Sequence, residues 1–348
     1  MKISYFIIYL LVFINNTFGC TIFAIKNKNG TIIGKNRDAL YNSTQTFERM
    51  KPINQFTNWY NNNYNHNFEF YALVADNDVK MGINKNGLTA IEEDPLFPLN
   101  YKESRRFIQP IHGNAEGMIL FGILQNFSSV DEIIPYLNII FSTAAPNFYQ
   151  IADRNKILNV EVAFAKNDLE SVRNFTYQVI NKNINLAHTN NYLSKEFQEL
   201  NNIAEKNRLI SSTYRLNTMY QLINNYENEN EIINWFFDTK SNLQTNNSNY
   251  TCLNSSIFRS QIGIMKEVNP KTLKKNIYGS VSNMIVINNK NDTKIIIRIL
   301  ESIKTIKNNQ IIYYKDLNTD LTTLFNGSRP RFIKKSFSRK LTKNNICG

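Results

Sequence analysis

The sequence predicts an α+β fold, in one compact domain, with helices layered on antiparallel sheet. Short apolar segments separated by turn residues predict strands, and longer segments with helical periodicity lie between them. The order is strands, helices, strands, helices, strands, with no internal repeat, which is typical of α+β proteins rather than of a parallel doubly wound sheet. With 348 residues, 42% of them hydrophobic, the chain can bury one large or two modest cores, which excludes collagen-like and disordered classes.

The first 19 residues have the pattern of a signal peptide. Lys2 precedes an almost unbroken apolar run over residues 3–14, and the small residues Thr17 and Gly19 follow it. The run is shorter than the ~20 residues that a membrane-spanning helix needs. We therefore expect cleavage after Gly19 and an exported protein, periplasmic or secreted, or lumenal or extracellular in a eukaryotic host. Contact with the membrane is expected only through this leader, before cleavage.

Cleavage after Gly19 would make Cys20 the first residue of the mature protein. The chain has three cysteines, an odd number for an exported protein. Cys252 and Cys347 could form a disulfide and leave Cys20 as the free thiol, or both could be unpaired. A further alternative is a bacterial lipoprotein, which also begins at a cysteine, but the preceding Thr17-Phe18-Gly19 lacks the usual aliphatic and small residues of a lipidation site.

The first predicted hairpin determines what lies opposite Cys20. Residues 21–26 and 31–35 are predicted strands, and Asn-Gly lies between them. A three-residue loop over residues 28–30 would place Cys20 opposite Asp38, and this is the expected register. A two-residue loop at Asn29-Gly30 would shift the register by one and move Asp38 to the opposite face.

The remaining elements follow from turn and capping signals. Asn84 to Gly87 forms a predicted turn between strands, and Ser129 with Glu132 forms a capping box that opens a helix. The predicted hairpin strands cover residues 68–75, 79–83, 88–91, 148–163 (turning at 153–156), 280–287 and 294–299, and the predicted helices cover 115–125, 129–141 and 195–225.

An N-terminal cysteine carries both a nucleophile and a base. The free thiol has a pKa of roughly 8.5 and a free α-amine one of roughly 7.7 to 8.0, so both titrate near neutral pH. Such a residue can attack a carbonyl while its own amine accepts and returns the proton. Asp38 is a suitable acceptor for the amine N–H groups, and Lys35 or Arg37 nearby would favour the thiolate.

Several motifs in order resemble the linear-amide C–N hydrolases. This N-terminal nucleophile superfamily includes choloylglycine (bile-salt) hydrolase, penicillin V acylase, acid amidases and isopenicillin N acyltransferase. The matching segments, collinear from Cys20 to Arg215, are Cys20-Thr21 with Gly34-Lys-Asn-Arg-Asp38, Met81-Gly-Ile-Asn-Lys-Asn-Gly-Leu88, Ile151-Ala-Asp-Arg154 with Val160-Glu-Val-Ala163, His188-Thr-Asn-Asn191, and Arg215 after a serine pair.

The resemblance implies a four-layer αββα sandwich over residues 20–325 and cleavage of a non-peptide amide bond in a small N-acyl substrate. Cys20 would be nucleophile and base, and Asp38 the partner of the amine. Asn190 would donate to the oxyanion, a contact worth about 3 to 4 kcal/mol. The other implied site residues are Arg215 and Lys35, which would order the catalytic site, and Arg37 and Asn191, which would bind substrate.

The sequence departs from the family pattern at two places. Lys35 replaces the arginine of the bile-salt and penicillin V branch, which makes the chain more similar to the acyltransferase and carcinine-hydrolase-like branch; lysine lacks the planar fork of arginine. Glu92, Glu93 and Asp94 lie where some members carry an asparagine as second oxyanion donor, and carboxylates cannot donate unless protonated. A backbone N–H is the other source, and the balance between hydrolase and acyltransferase stays open.

The charge pattern does not indicate a nucleic-acid partner. The net charge is +12, but much of the excess lies in residues 326–348, which we expect to be a solvated basic tail. The three histidines, His66, His112 and His188, are too scattered to suggest a metal site, so neither a metal nor another cofactor is expected. Homo-oligomerisation is left open.

Overall fold

The computed structural model describes residues 18–40, 43–53, 66–75, 78–96, 116–164, 173–204, 206–237, 263–265, 276–306, 309–327 and 330–340. Cys252, Cys347, His112 and most of the predicted leader lie outside the described residues. The two alternatives for Cys252 and Cys347 therefore stay predictions.

The described strands form two antiparallel sheets. In chain order they are β1 (Phe18–Asn27), β2 (Gly30–Leu40), β3 (Gln45–Met50), β4 (Phe70–Ala75), β5 (Asp78–Asn84), β6 (Thr89–Glu93), β7 (Phe148–Ala152), β8 (Ile157–Val162), β9 (Phe175–Ile180), β10 (Ile184–His188), β11 (Gly263–Met265), β12 (Asn276–Asn289), β13 (Thr293–Ile306), β14 (Asn309–Asp320) and β15 (Ile333–Lys340). Sheet A has eight strands in the order β10-β1-β2-β12-β13-β14-β15, with β11 also paired to β12. Sheet B has seven strands, β3 to β9 in sequence order.

The described helices are α1 (Glu116–Asn126), α2 (Val130–Ile133), α3 (Leu137–Phe141), α4 (Lys206–Asn225), α5 (Glu229–Phe237) and α6 (Leu321–Phe325). Short 3₁₀ helices cover Ile134–Tyr136 and Gln198–Ile203. Ser129 caps α2 by accepting a hydrogen bond from the Glu132 N–H, as the capping box predicts. No helix within these ranges is both long and apolar enough to cross a membrane.

Three hydrophobic cores separate four layers. One core lies between α1–α3 and sheet B, and includes Phe70 and Leu124. The second lies between the two sheets, and the third lies between sheet A and helices α4 and α5. Strand β1 contributes side chains to two of these cores. Ile22 and Ala24 face sheet B, whereas Phe23 and Ile25 face α4. The structure confirms the α+β fold and the αββα layering.

The register of the first hairpin differs from the prediction. Asn27 pairs with Gly30, so the loop contains only Lys28 and Asn29, and the expected three-residue loop is wrong. The Asn27 side chain closes this turn by accepting hydrogen bonds from the N–H groups of Asn29 (2.9 Å) and Gly30 (3.1 Å). A Cβ at Gly30 would overlap the backbone carbonyl of Asn288 on β12. Glycine is therefore required there by close packing of the backbones.

The predicted helix over residues 195–225 begins only at Lys206. Before it, the Asn201 side chain hydrogen-bonds both the N–H and the C=O of Tyr192, each at 2.9 Å, and a 3₁₀ helix replaces α-helix. Asparagine competes with helical hydrogen bonding in this way wherever a backbone partner is available.

Part of the segment predicted to be a solvated basic tail belongs to sheet A. Strand β15 pairs along its length with β14, so the sheet extends past the predicted domain boundary at residue 325. Exposed lysines are common on edge strands because their charge discourages pairing with another chain. Lys334 on this strand pairs with Glu301 of β13 at 3.1 Å.

Candidate active site

Cys20 lies near the start of β1 and is nearly buried, with 6% of its surface exposed. Strand alternation places its side chain on the same face as Ile22, towards sheet B. The sulfur lies 3.9 Å from the backbone oxygen of Asp38 on β2. The strand continues back to Phe18, so in the chain described here the Cys20 nitrogen is joined to Gly19 in a peptide bond.

Two bulges surround Asp38. Its backbone pairs with Phe18 of β1, and a register shift separates that pair from the pair of Thr21 with Asn36. On the other side Asp38 pairs with Ser280 of β12, where a second shift follows. The prediction that Cys20 sits directly opposite Asp38 is therefore wrong in register, because the shorter loop and the bulge both displace the pairing. Bulges redirect side chains locally, and here the thiol and Asp38 remain neighbours.

The Asp38 carboxylate accepts hydrogen bonds from a side chain of its own strand and from one of the neighbouring strand β12. The Ser280 hydroxyl donates to Asp38 Oδ1 at 2.6 Å, and the Asn36 amide donates to the same atom at 3.1 Å. Tyr314 of β14 in turn donates to the Ser280 carbonyl at 2.9 Å. Asn36 lies within the Gly34–Asp38 motif, so the sequence offered a signal for it. Ser280 is 242 residues from Asp38 in sequence, and only the strand pairing brings it close.

Arg215 connects helix α4 to the residues around the thiol. Its guanidinium donates to the backbone oxygen of Cys20, to Thr21 Oγ1 at 3.0 Å, and to Asn190 Oδ1 at 2.7 Å. It is almost completely buried, at 1% exposure. Arg215 therefore fixes the position of β1 relative to the turn that carries Asn190.

The Asn190 turn is also anchored from α4 and from sheet B. Ser212, of the serine pair, accepts the Asn190 N–H at 2.9 Å and contacts the Thr189 hydroxyl at 2.9 Å. His188, just before the turn, contacts Glu161 Oε1 of β8 at 3.0 Å through Nε2 and the Thr189 oxygen at 2.5 Å through Nδ1. The role of Glu161 was missed, although it lies within a motif of the resemblance.

Asn190 does not present a free amide hydrogen in this arrangement. Its Nδ2 donates to Glu93 Oε1 at 2.6 Å and to the backbone oxygen of Asp94 at 2.7 Å. These two contacts account for both hydrogens of the amide. Its assignment as oxyanion donor stays a prediction, and Glu93 enters the site as its direct partner.

Lys35 forms a buried ion pair with Glu92. Its ammonium lies 3.0 Å from Glu92 Oε1 and also donates to the Glu92 backbone oxygen. Lys80 approaches the same carboxylate oxygen at 3.4 Å, and Asn147 donates to the other at 3.0 Å. Burial alone would raise the pKa of Glu92, but the two lysines and the hydrogen bonds from Asn147 and Lys35 lower it to about 2. Burial alone would likewise lower the pKa of Lys35, and Glu92 is the chief group that raises it.

The two residues predicted to bind substrate, Arg37 and Asn191, have different surroundings. Arg37 is half-buried, and its guanidinium contacts Ser43 Oγ at 3.3 Å. Burial raises the pKa of Asp94 above its usual value, and the charge of Arg37 is one of those that lower it. Asn191 donates to Thr213 Oγ1 of α4 at 3.2 Å. That bond places Asn191 against the helix, and the structure shows no hydrogen bond between it and Cys20.

The environment of Cys20 disfavours a spontaneous thiolate. Burial raises the pKa of the thiol far above its usual value, and Glu93, Asp38 and Asp94 add to the rise. Lys35 lowers it, as the sequence predicts, but does not compensate. The thiol is neutral in the uncleaved chain, so attack on a carbonyl requires a base beside it.

The ion pair of Lys35 and Glu92 predicts an acid-sensitive contribution to stability. Because the pKa of Glu92 falls from 4.5 to about 2 on folding, the ionised carboxylate stabilises the fold, and this contribution is fully present above pH 4.5. This contribution is lost as the pH falls from 4.5 towards 2. Glu92→Gln should therefore be less stable than wild type at neutral pH, with a difference that narrows on acidification. Urea unfolding across this pH range measures it, with Glu69→Gln as the matched control on a partly exposed pair; a constant difference would contradict the assignment.

Within the described residues, no group of three or more His, Cys, Asp or Glu side chains is arranged to hold a metal ion. The converging groups are a thiol, carboxyls, amides and cations. Such a set can carry out acyl transfer to sulfur and proton transfer.

A family model identifies the family to which this chain belongs. The model described as acyl-coenzyme A:6-aminopenicillanic acid acyl-transferase matches residues 25–271, well over half of the chain. The chain belongs to this acyltransferase family. The resemblance to the N-terminal nucleophile superfamily is thereby confirmed, and the protein is an enzyme of that superfamily.

Among solved structures, this member of the acyltransferase family is similar to the Caenorhabditis elegans ortholog of N-acylethanolamine-hydrolyzing acid amidase. The two are 11% identical, with a TM-score of 0.42, over 77% of this chain and 92% of that chain. A comparison with curated protein sequences found no significant match.

Proposed function

We propose that this protein is exported and that removal of its leader after Gly19 makes Cys20 the N-terminal nucleophile of an amidase. Its substrate would be a small N-acyl compound with a linear, non-peptide amide bond, and the reaction would pass through a thioester on Cys20. The observation that carries the proposal is that, in a chain of this family, the Cys20 sulfur lies beside the Asp38 backbone and Arg215 joins the Cys20 backbone to Asn190.

The proposed reaction uses the freed α-amine as the base. The amine, held by Asp38, takes the thiol proton, and the sulfur attacks the carbonyl carbon while the C=O π electrons move to oxygen. Collapse of the tetrahedral intermediate breaks the C–N bond, and the α-ammonium returns the proton to the departing amine. Water, deprotonated by the same amine, then cleaves the thioester and releases the acid.

The buried state of the thiol supports a base on the same residue. Burial and the nearby carboxyls keep Cys20 protonated, so a catalytic base must act at short range. Leader removal would supply one, because it converts a peptide N–H into an amine. The same step would remove Phe18 from its pairing with Asp38, which leaves that carboxylate next to the new terminus.

A second candidate function is acyl transfer to an amine. Lys35 in place of arginine, together with the description of the matching family, favours this alternative. A third possibility, a lipoprotein lipidated at Cys20, rests only on the cysteine after the leader. The near-complete burial of Cys20 within β1 argues against it.

Intact-mass analysis and N-terminal sequencing test the proposal directly. The protein, secreted from a host that processes its leader, is incubated with a panel of N-acyl amides and quenched in acid. We expect a mature chain beginning at Cys20 and an acyl mass on the peptide that contains it, released by neutral hydroxylamine. New amide formed on addition of an amine would favour the acyltransferase. A diacylglyceryl mass on Cys20, or an active protein with the leader retained, would contradict the proposal.

A further inference from the structure

Strand β9 lies at one edge of sheet B and contains no charged residue. Its sequence is Phe-Thr-Tyr-Gln-Val-Ile, and it pairs along its whole length with β8. Among the residues that the structure describes it has no second strand partner, so its outer side presents unpaired backbone groups. Tyr177 and Gln178 are exposed, Tyr177 by 54%. An uncharged, proline-free segment of six residues with high β-propensity is prone to pair with another chain.

The other three edges of the two sheets are each protected by a different feature. Strand β15 contains four lysines and arginines, and β3 contains Glu48 and Arg49. The edge of β10 is covered by α4. The Tyr220 hydroxyl of that helix donates to the Ala187 oxygen at 3.3 Å, and the Asn185 amide donates to a carbonyl of the helix at 2.6 Å. Within the described part of the chain, β9 has neither a charge of its own nor a helix bonded to its outer backbone.

The residue directly before β9 begins an acceptor triplet for N-linked oligosaccharides. Asn174-Phe175-Thr176 has the pattern Asn-x-Ser/Thr, and Asn174 is exposed. Only its triplet borders an edge strand among those that begin at a described asparagine. The others begin at Asn29, Asn291 and Asn326, which are exposed in or beside turns, and at Asn126, which is buried at 1% exposure.

We infer that Asn174 is N-glycosylated when the chain is exported through a eukaryotic secretory pathway, and that the oligosaccharide keeps the edge of β9 from pairing with another chain. The inference rests on the export that forms part of the proposed function. An N-linked oligosaccharide is bulky and hydrated, so beside the first residue of β9 it occupies space that a partner strand needs. It does for β9 what lysines do for β15.

The modification needs a donor of one chemical class, a lipid diphosphate-linked oligosaccharide. The Asn174 amide nitrogen forms a bond to C1 of the first sugar and loses one proton. The bond between C1 and the diphosphate oxygen breaks, and its electrons leave with the lipid diphosphate. The fold then decides whether the product is tolerated. The exposed side chain of Asn174 can carry the sugar into the folded protein, whereas the buried side chain of Asn126 cannot.

Peptide mapping of the protein secreted from a eukaryotic host tests the modification. Digestion with peptide N-glycosidase in heavy-oxygen water converts each glycosylated asparagine to labelled aspartate, which the mass of its peptide reveals. We expect label at Asn174 and none at Asn126. Thr176→Ser keeps the acceptor triplet and should keep the label, whereas Thr176→Ala should lose it. A wild-type chain without label at Asn174, or with label at Asn126, would overturn the inference.

Light scattering coupled to size exclusion tests what the oligosaccharide does. Thr176→Ala should form particles with more chains than wild type or Thr176→Ser, because the edge of β9 is uncovered. Adding Gln178→Lys to Thr176→Ala places a charge on β9 and should restore the wild-type number of chains, which it would not do for an unfolded variant. Asn29→Gln, which removes a triplet from a turn, is the matched control. Thr176→Ala with the wild-type number of chains, or association that Gln178→Lys leaves unchanged, would overturn the inference.

The proposed amidase and the glycosylated edge can fail separately. A mature chain that forms a thioester on Cys20 but carries no sugar on Asn174 leaves the amidase standing and removes the inference. A chain that carries the sugar but forms no acyl-enzyme with any amide refutes the proposed reaction and leaves the protection of β9 in place.

Discussion

Cys20→Ala is expected to abolish thioester formation and to lower kcat on any N-acyl amide substrate by on the order of 10⁴- to 10⁶-fold, the range seen when members of a catalytic nucleophile–base unit are removed. The effect should be this large because sulfur and α-amine sit on one residue. No other thiol within the described residues lies in the site, and alanine leaves the amine without a nucleophile to deprotonate.

Comparing Cys20→Ala with Cys20→Ser tests whether activity depends on the sulfur itself or only on a nucleophile at this position. Cys20→Ser keeps the amine and offers an oxygen nucleophile, so it should retain a small turnover above that of Cys20→Ala and form an ester in place of the thioester. Cys347→Ser, which removes a cysteine elsewhere in the chain, is the control for labelling by a thiol-alkylating reagent. Turnover by Cys20→Ala equal to that of wild type would remove Cys20 from the mechanism.

The local patterns of the sequence were sufficient for much of the fold. Apolar segments on either side of Asn84–Gly87 and of Asp153–Lys156 are hairpins, as predicted, because the turn residues and the apolar alternation agree there. The edge strands β3, β9, β10 and β15 were not predicted, and neither was β14, which lies inside sheet A. The burial of the edge strands is one-sided or slight, as in β3 and β9, so their sequences lack the strong apolar pattern of central strands.

The candidate site was predictable where its residues lie in motifs, and not where it depends on register. Asp38 and Arg215 were found from their motifs, and both lie near Cys20. The register of the first hairpin depended on how one asparagine side chain closes the turn, which a pattern of apolar residues does not specify. Glu93 was noticed only as an unsuitable donor, because its protonation depends on burial and on Asn190, both of which arise from tertiary packing.

The bulges around Asp38 explain how the site tolerates a register that the sequence did not predict. A regular ladder with Asn27 opposite Gly30 would place Cys20 opposite Arg37. The irregularities in β1 and β12 instead allow the Cys20 sulfur to approach the Asp38 backbone while Ser280 holds the carboxylate. Bulges of this kind beside a candidate catalytic group are a recurrent way to redirect a side chain from a rigid sheet.

Arg215→Met is expected to lower both stability and activity. The guanidinium supplies hydrogen bonds to the Cys20 backbone, Thr21 and Asn190, and all three acceptors are buried. Methionine fills much of the volume but donates nothing, so these acceptors would be left without their charged donor. Breaking such a buried arrangement costs about 3 to 5 kcal/mol of unfolding free energy, which urea denaturation measures.

Arg215→Lys separates charge from geometry in this contact. Lysine keeps the positive charge but presents a single nitrogen, which cannot reach β1 and the Asn190 turn as a planar fork does. We expect an intermediate loss of stability and a loss of kcat larger than that stability change alone explains, because Asn190 would no longer be held in place relative to the Cys20 backbone. Arg331→Met, at an exposed arginine just before β15, is the matched control. If Arg215→Met unfolds at the same urea concentration as wild type and turns over substrate equally fast, α4 does not hold the two halves of the site together.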